Sequence, residues 1–415
     1  MFNSLRENKY FREIVSFLKQ KNLYEKSYLV GGSVRDLLLQ KPLKDIDFAI
    51  KTDTIKLARE FARQTNGSFV LLDEFFSIGR VVKDDITIDF AELRGGSIEA
   101  DLRERDFTIN SMAVPLSLEK IIDPFEGIKD LNNKLIKMVN EENLKADPLR
   151  VLRAYRFHAT LDFIIENMTH EALKRNAYLM KLTARERLKD ELWKILSVID
   201  SLKTVRLMVE DEIFKAIFKP SEHLQIRSDI KAFELMEMIL KEPEKLFSVS
   251  LDKIIQKQYM YICLKFAAIF DFQVSEMIKQ LKPSKKEQRF VESLIESHIR
   301  IRNIETLVDK VRFIRDFEKI LYPALIYGIS KDPLGYARSW FYRRIEDFYR
   351  KVYLKNKKKL PIIKGDEILK LGFEPSPIVG EILERIETLV LAGKIFNKEQ
   401  AIQEIKKRYL LTRQE

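Results

Sequence analysis

Seven of the 13 glycines fall before residue 128, and none lies between residues 128 and 327. Glycine breaks helices, so a span of that length without it reads as helix packed on helix. The first part is patterned differently. Apolar, β-rich runs at 27–30, 46–50, 68–72, 78–82 and 86–90 are separated by polar turns and one helical segment, 54–65. The fold class is therefore α+β: a small mixed α/β head, then an all-helical remainder, with no internal repeat at a fixed period. At 415 residues the chain exceeds one typical core, so two or more packed units are expected.

Residues 29–50, LVGGSVRDLLLQKPLKDIDFAI, concentrate the chemistry. Gly31 and Gly32 follow an apolar run and precede a helical segment read as Ser33–Gln40. Glycine lets backbone approach a ligand closely, and a helix N-terminus offers free N–H groups to a triphosphate. Arg35 lies in that first turn. Asp45 and Asp47 are two residues apart, so on a strand both carboxylates project to one face while Ile46 enters the core. Paired carboxylates suit hard divalent cations. Two such ions about 3.5–4 Å apart can stabilise both the attacking and the leaving oxygen of an in-line displacement. The plain alternative is a tight turn followed by solvated aspartates. Asp89, in another strand-like run, is a candidate third carboxylate, or simply a strand-end charge.

Composition adds partners and exclusions. The net charge of +11 favours a polyanionic partner, although a lysine-rich proteome gives the same balance. Cys263 is the only cysteine, which excludes an internal disulfide and reads as core. The N-terminus is amphipathic and charged throughout, and no long uncharged run suggests a membrane span, so the protein is read as cytoplasmic. The stretch 340–359, WFYRRIEDFYRKVYLKNKKK, interleaves aromatic and basic residues. It is either an RNA surface or a helix that buries its rings and solvates its charges.

GGSVRD followed by DID resembles the head of the class II tRNA nucleotidyltransferases, the family of CCA-adding enzymes, CC-adding and A-adding specialists and bacterial poly(A) polymerases. The likeness continues in family order. RERDFTINSMA at 103–113 resembles the ribose-recognition motif, and IIDPFEGIKDL at 121–131 the segment leading out of the head. DPLRVLRAYRF at 147–157 resembles the motif that reads the incoming base, TARERLKDELWKIL at 183–196 the helix after it, and 360–383 a familial tail. The resemblance implies a polymerase-β-like palm at 1–136, a helical neck for base recognition at 137–200, and a helical body and tail for tRNA binding at 201–415. It also implies two Mg²⁺ held by Asp45 and Asp47. One would activate the RNA 3′-hydroxyl, and the other would hold the triphosphate. Gly31, Gly32, Ser33 and Arg35 would contact phosphates.

The resemblance assigns Arg105, Asp106 and Asn110 to the nucleotide and its ribose; hydrogen bonds to a 2′-hydroxyl would reject deoxynucleotides. It assigns Asp147 and Arg150 to the base edge, and Arg153 and Arg156 to the nucleotide. Carboxylate and guanidinium together offer acceptors and donors in fixed geometry, as a template base would. The plainer roles are an N-cap for Asp147, with Pro148 at N1, and a solvated stripe for the arginines. Ala146 stands where relatives carry Glu, which puts base selection in question.

A second departure bears on specificity. Members that add the terminal A carry a longer loop between the catalytic aspartates and the ribose motif; here only residues 91–105 intervene, with a Gly95-Gly96 turn. CC-adding specialists resemble this shortened form. The expectation is addition of C74 and C75 to the tRNA 3′ end from CTP, with contacts to the acceptor and TΨC region and no role for DNA. The alternatives are full CCA addition using CTP and ATP, a poly(A) polymerase, and a non-catalytic RNA-binding scaffold. His158, His170, His223 and His298 are scattered and none adjoins an aspartate, so no HD-type hydrolase is visible.

Overall fold

The structure is a computed structural model that describes residues 2–74, 77–219, 226–270 and 273–410. His223 lies outside the described residues. The chain divides into two compact units, Met1–Ile195 with Glu210–Lys219, and Leu196–Val209 with Pro220–Glu415.

The first unit opens on helix α1 (Lys9–Gln20), capped by Asn8, whose side chain accepts the N–H groups of Tyr10 and Phe11. Phe11, Ile14, Phe17 and Leu18 form its buried stripe. The chain then runs through β1 (Ser27–Val30), α2 (Gly32–Leu38), β2 (Asp45–Ile50), α3 (Thr54–Thr65), β3 (Ser68–Asp73), β4 (Ile78–Lys83), β5 (Ile86–Glu92), α4 (Ile98–Arg103) and β6 (Ala113–Pro115). The strands form one sheet in the order β3-β4-β5-β2-β1-β6. β2 and β5 are parallel and the other pairs antiparallel. In the core, Phe90 stacks on Phe48 with ring centroids 6.0 Å apart and meets Phe61 of α3 at a tilt, 5.5 Å away. The strand and helix readings of the sequence correspond to these elements. α2 starts one residue earlier and ends two earlier than the expected 33–40: Gly32 is already helical, and Gln40 turns left-handed at φ 54°.

The segment leaving the sheet contains the short helix Gly127–Asn132. Asp123 accepts the N–H groups of Gly127 and Ile128 at 2.6 and 2.9 Å. A Cβ on Gly127 would lie 2.2 Å from the Thr108 carbonyl oxygen, so only glycine allows this approach. Beyond it the chain is not purely helical. β7 (Leu135–Ile136) and β8 (Ile164–Ile165) pair in parallel, bracketing α5 (Leu149–Leu161). α6 (Asn167–Asn176) and α7 (Arg185–Leu196) follow. Asp211 ties residues 210–219 to this unit by accepting the Tyr155 hydroxyl at 2.8 Å and meeting His170 Nε2 at 2.6 Å.

The second unit is helical, including α8 (Leu202–Glu210), α9 (Ile230–Lys241), α10 (Gln258–Ile269), α11 (Lys285–Ile301), α12 (Leu307–Phe317), α13 (Leu321–Lys331), α14 (Ser339–Phe348) and α15 (Pro377–Leu391). α10 is buried on all sides from Met260 to Ile269 and carries the free thiol of Cys263. In 340–359, Tyr342 and Tyr353 are buried while Trp340 is 56% exposed, so the stretch sorts its rings between core and surface. Residues 363–405 gather a separate apolar cluster around Ile368, Ile382 and Ile386. Among the described residues no helix is long and apolar enough to cross a membrane.

One ion pair is wholly inside this unit. Lys265 Nζ lies 2.5 Å from Glu237 Oε1 and 2.6 Å from the Val198 carbonyl. Glu237 also accepts the N–H groups of Ser201 and Leu202, capping the start of α8. Removing one partner strands the other without water. Lys265→Met is expected to cost about 3–5 kcal/mol, read as a lower urea midpoint for the second unit.

Candidate functional site

The site begins where β1 ends. Gly31 has φ +66°, and a Cβ there would sit 2.8 Å from Arg105 Nη1. A Cβ on Gly32 would lie 3.5 Å from Asp47 Oδ2. The turn therefore passes directly beneath the carboxylates, with the α2 N-terminus alongside. β2 carries Asp45 exposed and Asp47 half-buried, with Ile46 fully buried between them. Ser33 is not part of the cleft lining. It is buried; its hydroxyl accepts the Asp47 N–H at 2.7 Å and lies 3.1 Å from the Asp45 carbonyl. That hydroxyl braces the aspartate strand.

An open cleft of about 450 Å³ is lined by Gly31, Gly32, Arg35, Asp45, Asp47, Asp89, Arg105, Asp106, Asn110, Asp147, Arg150, Arg153 and Arg156. Every candidate residue read from the sequence except Ser33 is thus brought to one place. The sheet side is acidic. Asp47 and Asp89 are register partners across β2 and β5. Burial first, then the charges of Asp89 and Asp45, push the Asp47 carboxyl up to about 6 against the pull of Arg105 and Ser33.

The opposite wall is basic and knotted. Asp106 accepts Arg153 Nε at 2.8 Å and Nη2 at 2.6 Å, and Asn110 Nδ2 at 3.0 Å. Asn110 in turn accepts Arg35 Nη1 at 2.6 Å. Burial would raise the Asp106 carboxyl, but Arg153, Asn110 and Arg150 outweigh it and hold it well below the usual carboxylate range. Arg156 pairs with buried Glu191 at 2.5 Å. The guanidinium groups of Arg35, Arg153 and Arg156 surround the Phe157 ring at 5.2, 5.6 and 4.0 Å. α5 begins at Leu149 with Pro148 in the cap position, one residue later than the expected Asp147 cap with Pro148 at N1. Asp147 Oδ1 lies 3.3 Å from the Leu149 N–H at the start of α5, and its Oδ2 accepts Arg187 at 3.0 Å within the cleft. Arg150 reaches the Asn143 carbonyl at 3.2 Å.

Sequence reasoning missed Arg80, Asp101, Arg187 and Glu191. Arg80 grips Asp89 through two 2.7 Å bonds. Asp101, nearly buried, accepts Arg105 Nε and Nη2 at 3.0 and 2.8 Å, and the Arg94 N–H at 3.3 Å. Arg187 and Glu191 stand four apart on α7, a spacing that does mark one helix face. The 91–105 segment is compact: Arg94–Gly96 forms a turn, Ser97 caps α4, and Asn143 Nδ2 lies 2.8 Å from the Arg103 carbonyl and 2.7 Å from that of Arg105.

The donors facing the cleft from the sheet are carboxylate oxygens, the ligands that magnesium prefers. Among the described residues no group of three or more His, Cys, Asp or Glu side chains forms a cage. Two aspartates with the balance supplied by phosphates and water is a usual magnesium arrangement. The raised Asp47 carboxyl fits the same use, because a cation there would relieve the repulsion.

Family models describe the same segments. The Poly A polymerase head domain matches residues 27–137, an RNA and SrmB-binding site of polymerase A matches 162–223, and tRNA nucleotidyltransferase domain 2 matches 253–405. The CC-adding tRNA nucleotidyltransferase of Synechocystis is 31% identical over 393 residues, covering 90% of this chain and 91% of that protein. The CCA-adding enzyme of Streptococcus agalactiae is 28% identical, covering 97% and 98%. A solved Thermotoga maritima CCA-adding enzyme, complexed with tRNA, shares the fold with TM-score 0.72 at 24% identity, covering 97% of each chain.

The Asp47 geometry has a pH consequence. Its folded carboxyl titrates above its unfolded value of 3.8, so the folded state holds the proton longer. The stability this gives is complete below about pH 4 and lost as pH rises through about 6, a swing of up to about 3 kcal/mol. In metal-free buffer, Asp47→Asn is expected to be more stable than the parent at pH 8, the gap closing toward pH 4, as thermal unfolding across pH will read.

Proposed function

The chain belongs to the class II tRNA nucleotidyltransferase and poly(A) polymerase family, as an enzyme of nucleotide addition at tRNA 3′ ends, and we propose that it adds only the two cytidines, from CTP. The 91–105 segment carries this reading. Asp101 accepts the Arg94 backbone N–H and the Arg105 guanidinium, which supports a segment held in place over one free to re-shape the pocket for ATP. The name of the Synechocystis relative agrees. Full CCA addition is the second reading, favoured by the Streptococcus relative's name and near-complete coverage.

In the proposed reaction the RNA 3′-oxygen bonds to the α-phosphorus of CTP, the bond to the β-phosphate oxygen breaks, and pyrophosphate leaves. Two magnesium ions on Asp45 and Asp47, when bound, would acidify the hydroxyl and neutralise the triphosphate. The Gly31–Gly32 turn, the α2 N-terminus and Arg35 receive the phosphates. Asp106 and Asn110, each already pinned by an arginine, meet the ribose with Arg105. Asp147 and Arg150 present acceptor and donor to the base edge, with Arg153 and Arg156 behind them. The helical second unit would hold the acceptor and TΨC region, drawing on the +11 net charge.

A tRNA ending at its discriminator base, incubated with CTP and ATP together, is expected to gain two nucleotides and stop. A third nucleotide, adenosine, would move the assignment to full CCA addition, and a long adenosine tract to a poly(A) polymerase. Asp45→Ala is expected to lower incorporation by about 10³-fold while tRNA retention on a filter stays unchanged, which separates an enzyme from a binding scaffold.

A further inference from the structure

We propose that Arg80 is a positioning residue that holds the third cleft carboxylate, Asp89, away from cation binding, so that the site answers to two aspartates rather than three. The inference rests on reading Asp45 and Asp47 as the magnesium ligands.

Strand register makes the arrangement specific. Arg80 is the register partner of Asp89 across β4 and β5, and Asp89 is the partner of Asp47 across β5 and β2. The three form one row across the sheet, and all three line the cleft. Arg80 Nε and Nη2 meet the two different oxygens of Asp89 at 2.7 Å each. A two-point guanidinium grip fixes the carboxylate plane and occupies a lone pair on each oxygen. Lysine cannot reproduce it, because an ammonium group is a point charge with no planar fork. The Asp89 side chain is 18% exposed, so solvent does not readily replace the grip.

A chemical reason favours this device. Three bare carboxylates in a row would repel one another and make a strong permanent cage. A nucleotidyltransferase instead needs ions that enter with a triphosphate and leave with pyrophosphate, which suits few protein ligands and many substrate ones. Holding Asp89 on an arginine keeps the carboxylate next to Asp47 without adding it to the ligand set.

Mn²⁺ binding to the full chain without nucleotide, followed by electron paramagnetic resonance, tests this at constant charge. Arg80→Lys keeps the cation but breaks the two-point grip, and is expected to bind Mn²⁺ roughly ten-fold more tightly by freeing an Asp89 oxygen. In an Asp89→Asn background the same change should leave affinity within about two-fold, since no oxygen is freed. Arg80→Met, which removes the grip and the charge, should gain at least as much as Arg80→Lys. Unchanged or weaker binding by Arg80→Lys would overturn the inference, as would a gain that persists without Asp89. Asp47→Asn is the control. If it leaves parent Mn²⁺ binding intact, the metal reading fails and takes the inference with it; if it abolishes binding while Arg80→Lys changes nothing, the inference alone fails.

Discussion

The ion pair between Asp106 and Arg153 fastens the segment between α4 and β6 to α5, the helix that carries the arginine ridge. The basic wall of the cleft is hung from it. Asp106 also takes the Asn110 amide, Asn110 takes Arg35, and Arg35 belongs to the helix opened by the two glycines. A relay of four side chains thus runs from the helix opened by the glycine turn to the helix of the arginine ridge. Breaking a buried pair of this kind strands a charge away from water, at about 3–5 kcal/mol. The relay is held by that penalty more than by any net attraction.

The same residue type does opposite things on the two walls. Asp47 is crowded by burial and other carboxylates and retains its proton to about pH 6. Asp106, more deeply buried, is surrounded by arginines and stays ionised far lower. Neighbours of opposite sign decide the difference, not depth. One wall is left wanting a cation, and the other is already neutralised and free to make directional hydrogen bonds. A triphosphate nucleotide needs both: charge compensation at one end, shape and donor pattern at the other.

Much of this was legible in the sequence because it is encoded at short range. The DID spacing places two carboxylates on one strand face whatever the sheet does, and the glycine pair carries its geometry in adjacent residues; the DPLR helix start was legible only to within one residue, α5 opening at Leu149 after a cap at Pro148. The helix at 54–65 followed from its apolar spacing and matches α3. What stayed hidden depends on register and on distant partners. Arg80 meets Asp89 only because β4 pairs with β5 in one alignment. Glu191 meets Arg156 only once α7 packs on α5. The Ser33 hydroxyl bonds the backbone of the aspartate strand and the Asp47 carboxylate, partners that no local pattern fixes. β7 and β8 are two residues each, too short to leave a periodic trace.

The glycine at 127 looks, in the chain, like a simple helix opener. Its missing side chain is what lets the Thr108 carbonyl descend onto the helix, and the turn Thr108–Asn110 is the one that presents Asn110 to the cleft. The depth of the cleft floor at Asn110 is therefore gauged by an atom that is absent from a residue outside the cleft lining. Sterically, a single methyl group added there would work like a shim under a machine part: every residue of the floor would keep its identity, and the floor would stand at the wrong height.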